Sequence, residues 1–346
     1  MAEQRQEGGR ESSNYQAGRD LVVQSGASIE EVRQISLDVF RENFLELRGV
    51  AEDVAKARAE AITNAFLEKL EQQGSADLAN ASDPDLQRAI FDAQREYACS
   101  GEEDLETALV DLLVDRAGRL DRSVQTIALN EAINAVPKLT APQRRAIAVC
   151  FMARYTTWRG PLSLDAIYAD HIKRNLVPLA SDIPREVTAY QHIEYVRAGS
   201  LETGGVQLAK ALQANLKPWF TRGIPPEQIP EELQAALSDE RVFVPCIRED
   251  SNLQLRADFD ALPDLAAQTG YSEEALRGVH SIGEMAPPEV KQEVLERVPE
   301  LESLFAVWDD SQLCRLTLTT VGLTIGHGYW RRITGSSAHL SNWLKA

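Results

Sequence analysis

Residues 83–101, DPDLQRAIFDAQREYACSG, read as one complete helix, and the same signals recur on both sides of it. Asp83 is a side-chain acceptor placed to cap free backbone N–H groups, and Pro84 at the first helical position loses nothing by lacking one. Leu86, Ile90, Ala93 and Tyr97 recur at helical spacing, and Ser100-Gly101 ends the run. Upstream, Ser28 with Glu31 three residues later is a capping box. Behind it, Ile29, Val32, Ile35, Leu37, Val39, Phe40 and Phe44 form a broad apolar face. Residues 50–73 continue with helix formers around Val54, Ala57, Ala61, Ala65 and Leu67, and Gly74 to Ser82 reads as a linker. Downstream, helices are expected near 102–118, 122–136, 141–157 and 163–176, with Thr140-Ala141-Pro142 as a further N-cap signal.

The pattern changes after Pro178. Pro184, Gly204-Gly205, Pro218, Pro225-Pro226 and Pro230 punctuate the chain. Val242–Ile247 and Leu253–Leu255 flank a polar turn and predict a hairpin, and Leu313–Thr319 is a third strand candidate. Short helices are expected near 260–268, 272–284 and 288–306. The last one starts near Thr319-Thr320. There Gly322 and Gly326 stand one turn apart, a spacing that lets another backbone approach and is read as internal helix packing. The expected architecture is mainly α. Residues 1–27 form a tail with a short β motif, 28–178 an all-helical domain, and 179–346 an α+β domain with a small antiparallel sheet, of winged-helix type in one version.

The 346-residue chain is 44% hydrophobic, enough for a core, and its formal net charge of −17 repels phosphate backbones. Nucleic acid is therefore disfavoured as a partner, and no cofactor or metal is expected. Cys99, Cys150, Cys246 and Cys314 make neither a disulfide framework nor a zinc spacing, and Cys99 and Cys150 read as buried thiols. A polar N-terminus and the lack of an apolar run of about 18 residues point to the cytoplasm.

Several constellations approach a chemistry without completing it. His192-Ile193-Glu194 and Pro245-Cys246 share part of the zinc-deaminase pattern, but position 249 is Glu where a second cysteine is needed. Gly322–Gly328 lacks the lysine of a phosphate-binding loop. Asp170-His171 lies in a helix with no nucleophile beside it. No catalytic residue is assigned, and the chain is read as non-enzymatic. Arg331 and Arg332 after Tyr329-Trp330 form the best basic–aromatic cluster and are the candidate nucleic-acid contacts. The rival reading packs Trp330 in the core and sets the arginines at a helix C-terminus.

Asn14-Tyr15-Gln16-Ala17-Gly18-Arg19-Asp20-Leu21-Val22-Val23 reads as a turn and a strand. A lone strand is unstable, so it needs a partner in this chain or in another copy. Asn14, Gln16, Gly18, Arg19, Asp20, Leu21 and Val23 are the candidate oligomerisation residues.

This segment resembles a short N-x-Q-A-G-x-D motif at the start of many bacterial proteins of conflict and phage-defence genes. Ile35–Phe40 with Asn43-Phe44, Leu112–Arg116, Leu129–Ala132, Tyr190–Glu194, Val244–Cys246 and Leu318–Gly322 are similar to one uncharacterised bacterial family. The resemblance implies a bacterial origin and a defence setting, and it carries over no catalytic residue. The reading is a homo-oligomeric interaction protein, a sensor or adaptor, with a protein encoded nearby as a further partner. Its rivals are a nucleic-acid-binding regulator and an enzyme with a composite site around His192, Glu194 and Cys246.

Overall fold

The computed structural model describes residues 28–43, 49–72, 83–119, 121–158, 160–256 and 261–344. The N-terminal motif and the Gly74–Ser82 linker reading lie outside the described residues.

Capping chemistry sets the first helices. In α1 (Ile29–Asn43), Ser28 N–H donates to Glu31, and the same contact holds the Glu31 carboxyl below the usual carboxylate range. After α2 (Val50–Gln72), Asp83 accepts from Asp85 N–H at the start of α3 (Pro84–Ser100), and Gly101, at φ 63°, ends it. α4 (Glu103–Ala117) and α5 (Val124–Ala135) follow. In α6 (Ala141–Tyr155), Thr140 and Gln143 close a reciprocal capping box.

The next helix is compound. α7 (Leu164–Ala166) runs into a π-helical segment (Ile167–Lys173) and then α8 (Arg174–Leu176), where a plain helix over 163–176 was expected. α9 (Val187–Tyr195), strand β1 (Gly199–Leu201) and α10 (Leu208–Asn215) come next. Strands β2 (Phe243–Pro245) and β3 (Leu253–Leu255) make the expected hairpin, with Val244 opposite Gln254. α11 (Leu262–Thr269) and α12 (Glu273–His280) follow. The single helix expected over 288–306 is two, α13 (Pro287–Arg297) and α14 (Glu302–Asp310). Pro299 lacks the N–H a continuing helix needs and pushes Val298 out of helical geometry. Strand β4 (Leu316–Leu318) pairs antiparallel with β1, Ser200 opposite Thr317. α15 (Thr320–Thr334) is the last long helix. The chain is thus mainly α with two small two-stranded antiparallel sheets.

The main core is laid around α6, where every residue from Ala146 to Ala153 is buried. α15 lies along α6 and also touches α5, while α10 covers another side of α6. Glycines set the α15 contact distances. A Cβ on Gly322 would stand 1.8 Å from the Ala198 carbonyl oxygen, and one on Gly326 would stand 2.6 Å from Phe151 Cβ. This core takes residues from both sides of position 178, from Val32 to Leu344. A second core joins the β2–β3 hairpin to α11 and α12 through Phe243, Leu255, Leu262 and Leu276. A small third cluster sets Phe40 of α1 against Ala55, Ala59 and Ala98.

Two buried arginines tie helix ends together. Arg116 bonds Asp83, Asp85 and Asn130, uniting the start of α3 and the middle of α5 with the end of α4. Arg144 in α6 is 0% exposed and bonds Glu102, Asp104 and the Leu139 carbonyl. The thiol readings need one correction. Cys150 is buried, and burial pushes its thiol up to about 12, so it stays neutral and donates to the Leu316 carbonyl at 3.2 Å. Cys99 is exposed, because Ala98 beside it is the residue that α3 turns into the Phe40 cluster.

Candidate functional site

The C-terminal end of α15 builds one wall of a cleft. Gly335, at φ 68°, stops the helix and turns the chain back as a strap over residues 336–344. Three bonds pin the strap: Ala338 O meets His327 Nε2 at 2.8 Å, Gln125 donates to the Leu344 carbonyl, and Trp343 Nε1 donates to the Tyr155 carbonyl. The Trp343 ring packs 4.9 Å from Phe151 and 5.9 Å from Trp330. The π-helical segment and the stretch after α6 supply the facing walls. The space between measures about 580 Å³, within the range of about 300–1,000 Å³ usual for a small-molecule site.

His171 reaches this cleft from the π-helical segment. It is 5% exposed, and its ring nitrogens have no hydrogen-bond partner among the described residues, although such a buried group normally has one. Burial pushes it down to about 4, so the ring is neutral at pH 7 with one N–H and one lone pair. Trp158 lies beside it, ring centroids 5.4 Å apart, and its indole N–H also meets no acceptor. The indole lies directly on Gly160, where a Cβ would fall 2.0 Å from the ring. Trp330 and Asn175 line the cleft but are satisfied by each other at 3.0 Å, and Asn175 donates to the His171 carbonyl. At the mouth, Arg174 donates to the Thr334 carbonyl at 3.3 Å, and Asp170 stands one turn before it. The arrangement can stack a planar group, exchange hydrogen bonds at its deep end and hold a charge at its rim.

The residues singled out in the sequence fall elsewhere or at its edge. Gly322 and Gly326 serve the close approaches of α15. Arg331 pairs with Asp115 at 2.8 Å; Arg332 pairs with Asp104 at 2.8 Å and lies 4.2 Å over the Tyr329 ring. Trp330 is buried beside them. His192 Nδ1 meets the Gln143 side chain, Glu194 accepts from Leu201 N–H, and Cys246 Sγ faces the Thr221 carbonyl. These three thus belong to separate local networks. Gly322–Gly328 is the interior of α15, capped by Thr319, and forms no loop. The oligomerisation candidates Asn14, Gln16, Gly18, Arg19, Asp20, Leu21 and Val23 lie outside the described residues. Among the described residues, no group of three or more His, Cys, Asp or Glu is placed to hold a metal, and no helix is long and apolar enough to cross a membrane.

Sequence reasoning weighed Asp170-His171 only as part of a triad without a nucleophile and passed over Trp158, which the fold sets beside His171 and against Gly160.

Fold and cleft define a mainly helical protein with an aromatic, partly charged cleft beside its last long helix. The chain matches a family model over residues 26–344 and belongs to that family, which is described only as ":-like", a label that names no activity. No curated protein and no solved structure matches it.

Proposed function

We propose that this chain is a non-enzymatic sensor or adaptor that binds a small ligand in the Trp158–His171 cleft and acts through assembly with other copies of itself. The observation that carries the reading is His171, a neutral imidazole that lines the cleft at 5% exposure and whose ring has no hydrogen bond to a described residue. The strap gives occupancy a route outward. A ligand held between the π-helical segment and the strap touches both, so its binding energy favours the docked strap. The N-terminal motif, with its need for a strand partner, is the proposed assembly element. The proposed setting is the bacterial cytoplasm and anti-phage defence, with a protein encoded nearby as a further partner. The nucleic-acid alternative draws less support, because Arg331 and Arg332 are already committed to Asp115 and Asp104.

The test has two arms. Small molecules released by heating the natively purified full chain should include one in near-stoichiometric amount that is lost from His171→Leu; a wild-type protein that releases nothing above background refutes the ligand half. The solution mass of the full chain should be a multiple of the monomer and fall to the monomer when residues 1–26 are removed. An unchanged monomer in both refutes assembly.

A further inference from the structure

The stretch between Gly223 and Gly283, inserted between α10 and α13, is built as a body of its own. Ile229, Phe243, Leu262 and Leu276 share a core whose members all come from residues 224–256 and 261–282. Among the described residues, the main core takes one apolar side chain from that stretch, Ile247 beside the hairpin turn. The chain enters and leaves this lobe side by side. Thr221 and Glu284 form a backbone bridge, Arg222 N–H donates to the Gly283 carbonyl at 2.7 Å, and Met285 N–H donates to the Phe220 carbonyl at 3.2 Å. Ends that lie together are what allow one folding unit to be inserted into another. Both glycines at the crossing are left-handed, Gly223 at φ 77° and Gly283 at φ 75°, and a Cβ on Gly283 would stand 2.0 Å from the Gly223 carbonyl oxygen. Hinges are a few loop positions that absorb a change of backbone angles, and glycine does so at least steric cost.

Beyond this neck, lobe and main body meet mainly through polar side chains. A gap of about 20 Å³ lies between them, with Lys217, Pro218 and Thr221 on one side and Ile224, Leu255 and Ile282 on the other. Lys217 bonds Glu284 and His280, close in sequence to the hinge glycine Gly283, and Gln254 donates to the Pro218 carbonyl at 3.3 Å. Arg222 pairs with Glu249 and Glu289, but these three side chains are about half-exposed, and pairs of that kind hold little. Arg248, in the turn of the β2–β3 hairpin, is different. It is only 14% exposed and reaches out of the lobe. Its Nε and Nη2 donate to the Trp219 carbonyl at 3.0 and 2.5 Å, and its Nη1 donates to Glu293 of α13 at 2.7 Å. Glu293 also accepts from the Tyr168 hydroxyl at 2.9 Å, and Arg297, on α13 itself, stands 3.6 Å from the same carboxylate. One partly buried carboxylate thus joins the lobe, α13 and the π-helical segment that carries His171. Breaking such a pair costs far more than breaking a rim contact. A small and largely polar contact between two separately cored bodies leaves relative motion as the default, and Arg248 is the contact that opposes it.

We infer that residues 224–256 and 261–282 form an inserted lobe that holds together as its own cooperative unit, pivots at Gly223 and Gly283, and is kept docked by the Arg248–Glu293–Tyr168 latch. The lobe and its latch do not depend on a ligand in the cleft.

The test follows the lobe in the full chain. One spin label goes on Cys99, an exposed native thiol on α3, and one on Gln268→Cys, at an exposed position of α11, with Cys314→Ser removing the part-exposed thiol. Double electron–electron resonance should give one narrow distance while the latch is intact and a broader distribution in Arg248→Met. Hydrogen exchange read by mass spectrometry should rise about tenfold or more at the neck amides of Arg222 and Met285 in that variant, the factor expected for a lost charge-assisted bond. The amides of Gly270 and Leu276, bonded inside the lobe to the Ala266 and Ser272 carbonyls, should keep their wild-type rates. Glu293→Gln keeps the shape of the latch and removes its charge, so it should move both readouts in the same direction by less, and it decides alone if Arg248→Met does not fold. A narrow distance that neither variant changes overturns the pivot and the latch. A distribution already broad in the wild-type chain overturns the latch. Lobe amides that exchange faster together with the neck overturn the separate unit.

Discussion

Gly322→Ala is the most discriminating substitution in the fold. The new Cβ would sit 1.8 Å from the Ala198 carbonyl oxygen and 2.9 Å from its carbon, backbone atoms that no side-chain rotation can clear. A carbon normally stands about 3.3–3.6 Å from a carbonyl oxygen even in a favourable C–H···O contact, so the backbones must part by about 1.5 Å. That separation strains the bonds from Thr319 N–H to Ala198 O, at 3.3 Å, and from the Thr319 hydroxyl to Arg197 O, at 2.6 Å, and with them the β1–β4 pairing. Two net hydrogen bonds are worth about 1 kcal/mol each, and overpacking adds about 1–3 kcal/mol. Against this, alanine is favoured over glycine inside a helix by about 1 kcal/mol. The expected result is a net loss of about 2–4 kcal/mol. Gly278→Ala is the internal control. It lies in α12 with nothing within 4 Å of its Cβ position, so only the propensity gain remains. Equilibrium urea unfolding followed by far-UV circular dichroism should move the midpoint down for Gly322→Ala and up for Gly278→Ala. A Gly322→Ala midpoint at or above wild type refutes the close approach.

Other consequences concern charge and capping. His171 has its folded value, about 4, below its ordinary 6.5, so the native state resists the proton that the unfolded chain accepts. Its contribution is therefore complete above pH 6.5 and disappears as pH falls toward 4, about 3 kcal/mol in all. The fall in urea midpoint between pH 7 and pH 4.5 should be smaller in His171→Leu than in wild type, and equal falls refute the assignment. Arg144→Met should cost about 2–3 kcal/mol, below the usual 3–5 for a broken buried pair, because Asp104 keeps Arg332. Adding Arg332→Met strips Asp104 of both cations, so unfolding free energies should show the double variant losing more than the sum of the single ones; strict additivity would separate the two pairs. Thr140→Ala removes half of the α6 capping box and should lower stability by about 1 kcal/mol in the same assay, and no change would show the box contributes nothing.

What the sequence disclosed followed from how local the responsible interaction is. Asp83-Pro84, Ser100-Gly101 and Thr140 marked helix ends because caps form between residues two to four apart. The β2–β3 hairpin was legible for the same reason. β1 was not, because Gly199–Leu201 has only three residues and its partner β4 lies more than a hundred positions away. The spacing of Gly322 and Gly326 announced a close approach. Their partners, Ala198 O and Phe151, are properties of tertiary packing. Arg331 and Arg332 read as a basic cluster because Asp115 and Asp104 are distant in sequence. The setting of His171 was hidden most thoroughly. Its neighbours in sequence are ordinary helix residues, and its significance comes from a π turn, from an indole seated on Gly160 and from a strap that returns after Gly335.

That dependence makes the cleft an extension of the core. α15 docks its first half through Gly322 and Gly326, and its second half supplies Trp330, Thr334 and the Gly335 turn that directs the strap. A shift of α15 at Ala198 therefore moves a wall of the cleft, although Gly322 is not among the residues that line it. By linkage the reverse also holds, since a ligand that binds only the folded cleft stabilises the whole helix–strap unit. At a hundred times its Kd the stabilisation is about 2.7 kcal/mol, comparable to the cost of Gly322→Ala. Gly322→Ala should accordingly weaken ligand binding as well as lower stability, whereas Gly278→Ala should leave binding unchanged. That contrast separates a cleft built on α15 from one that merely lies beside it.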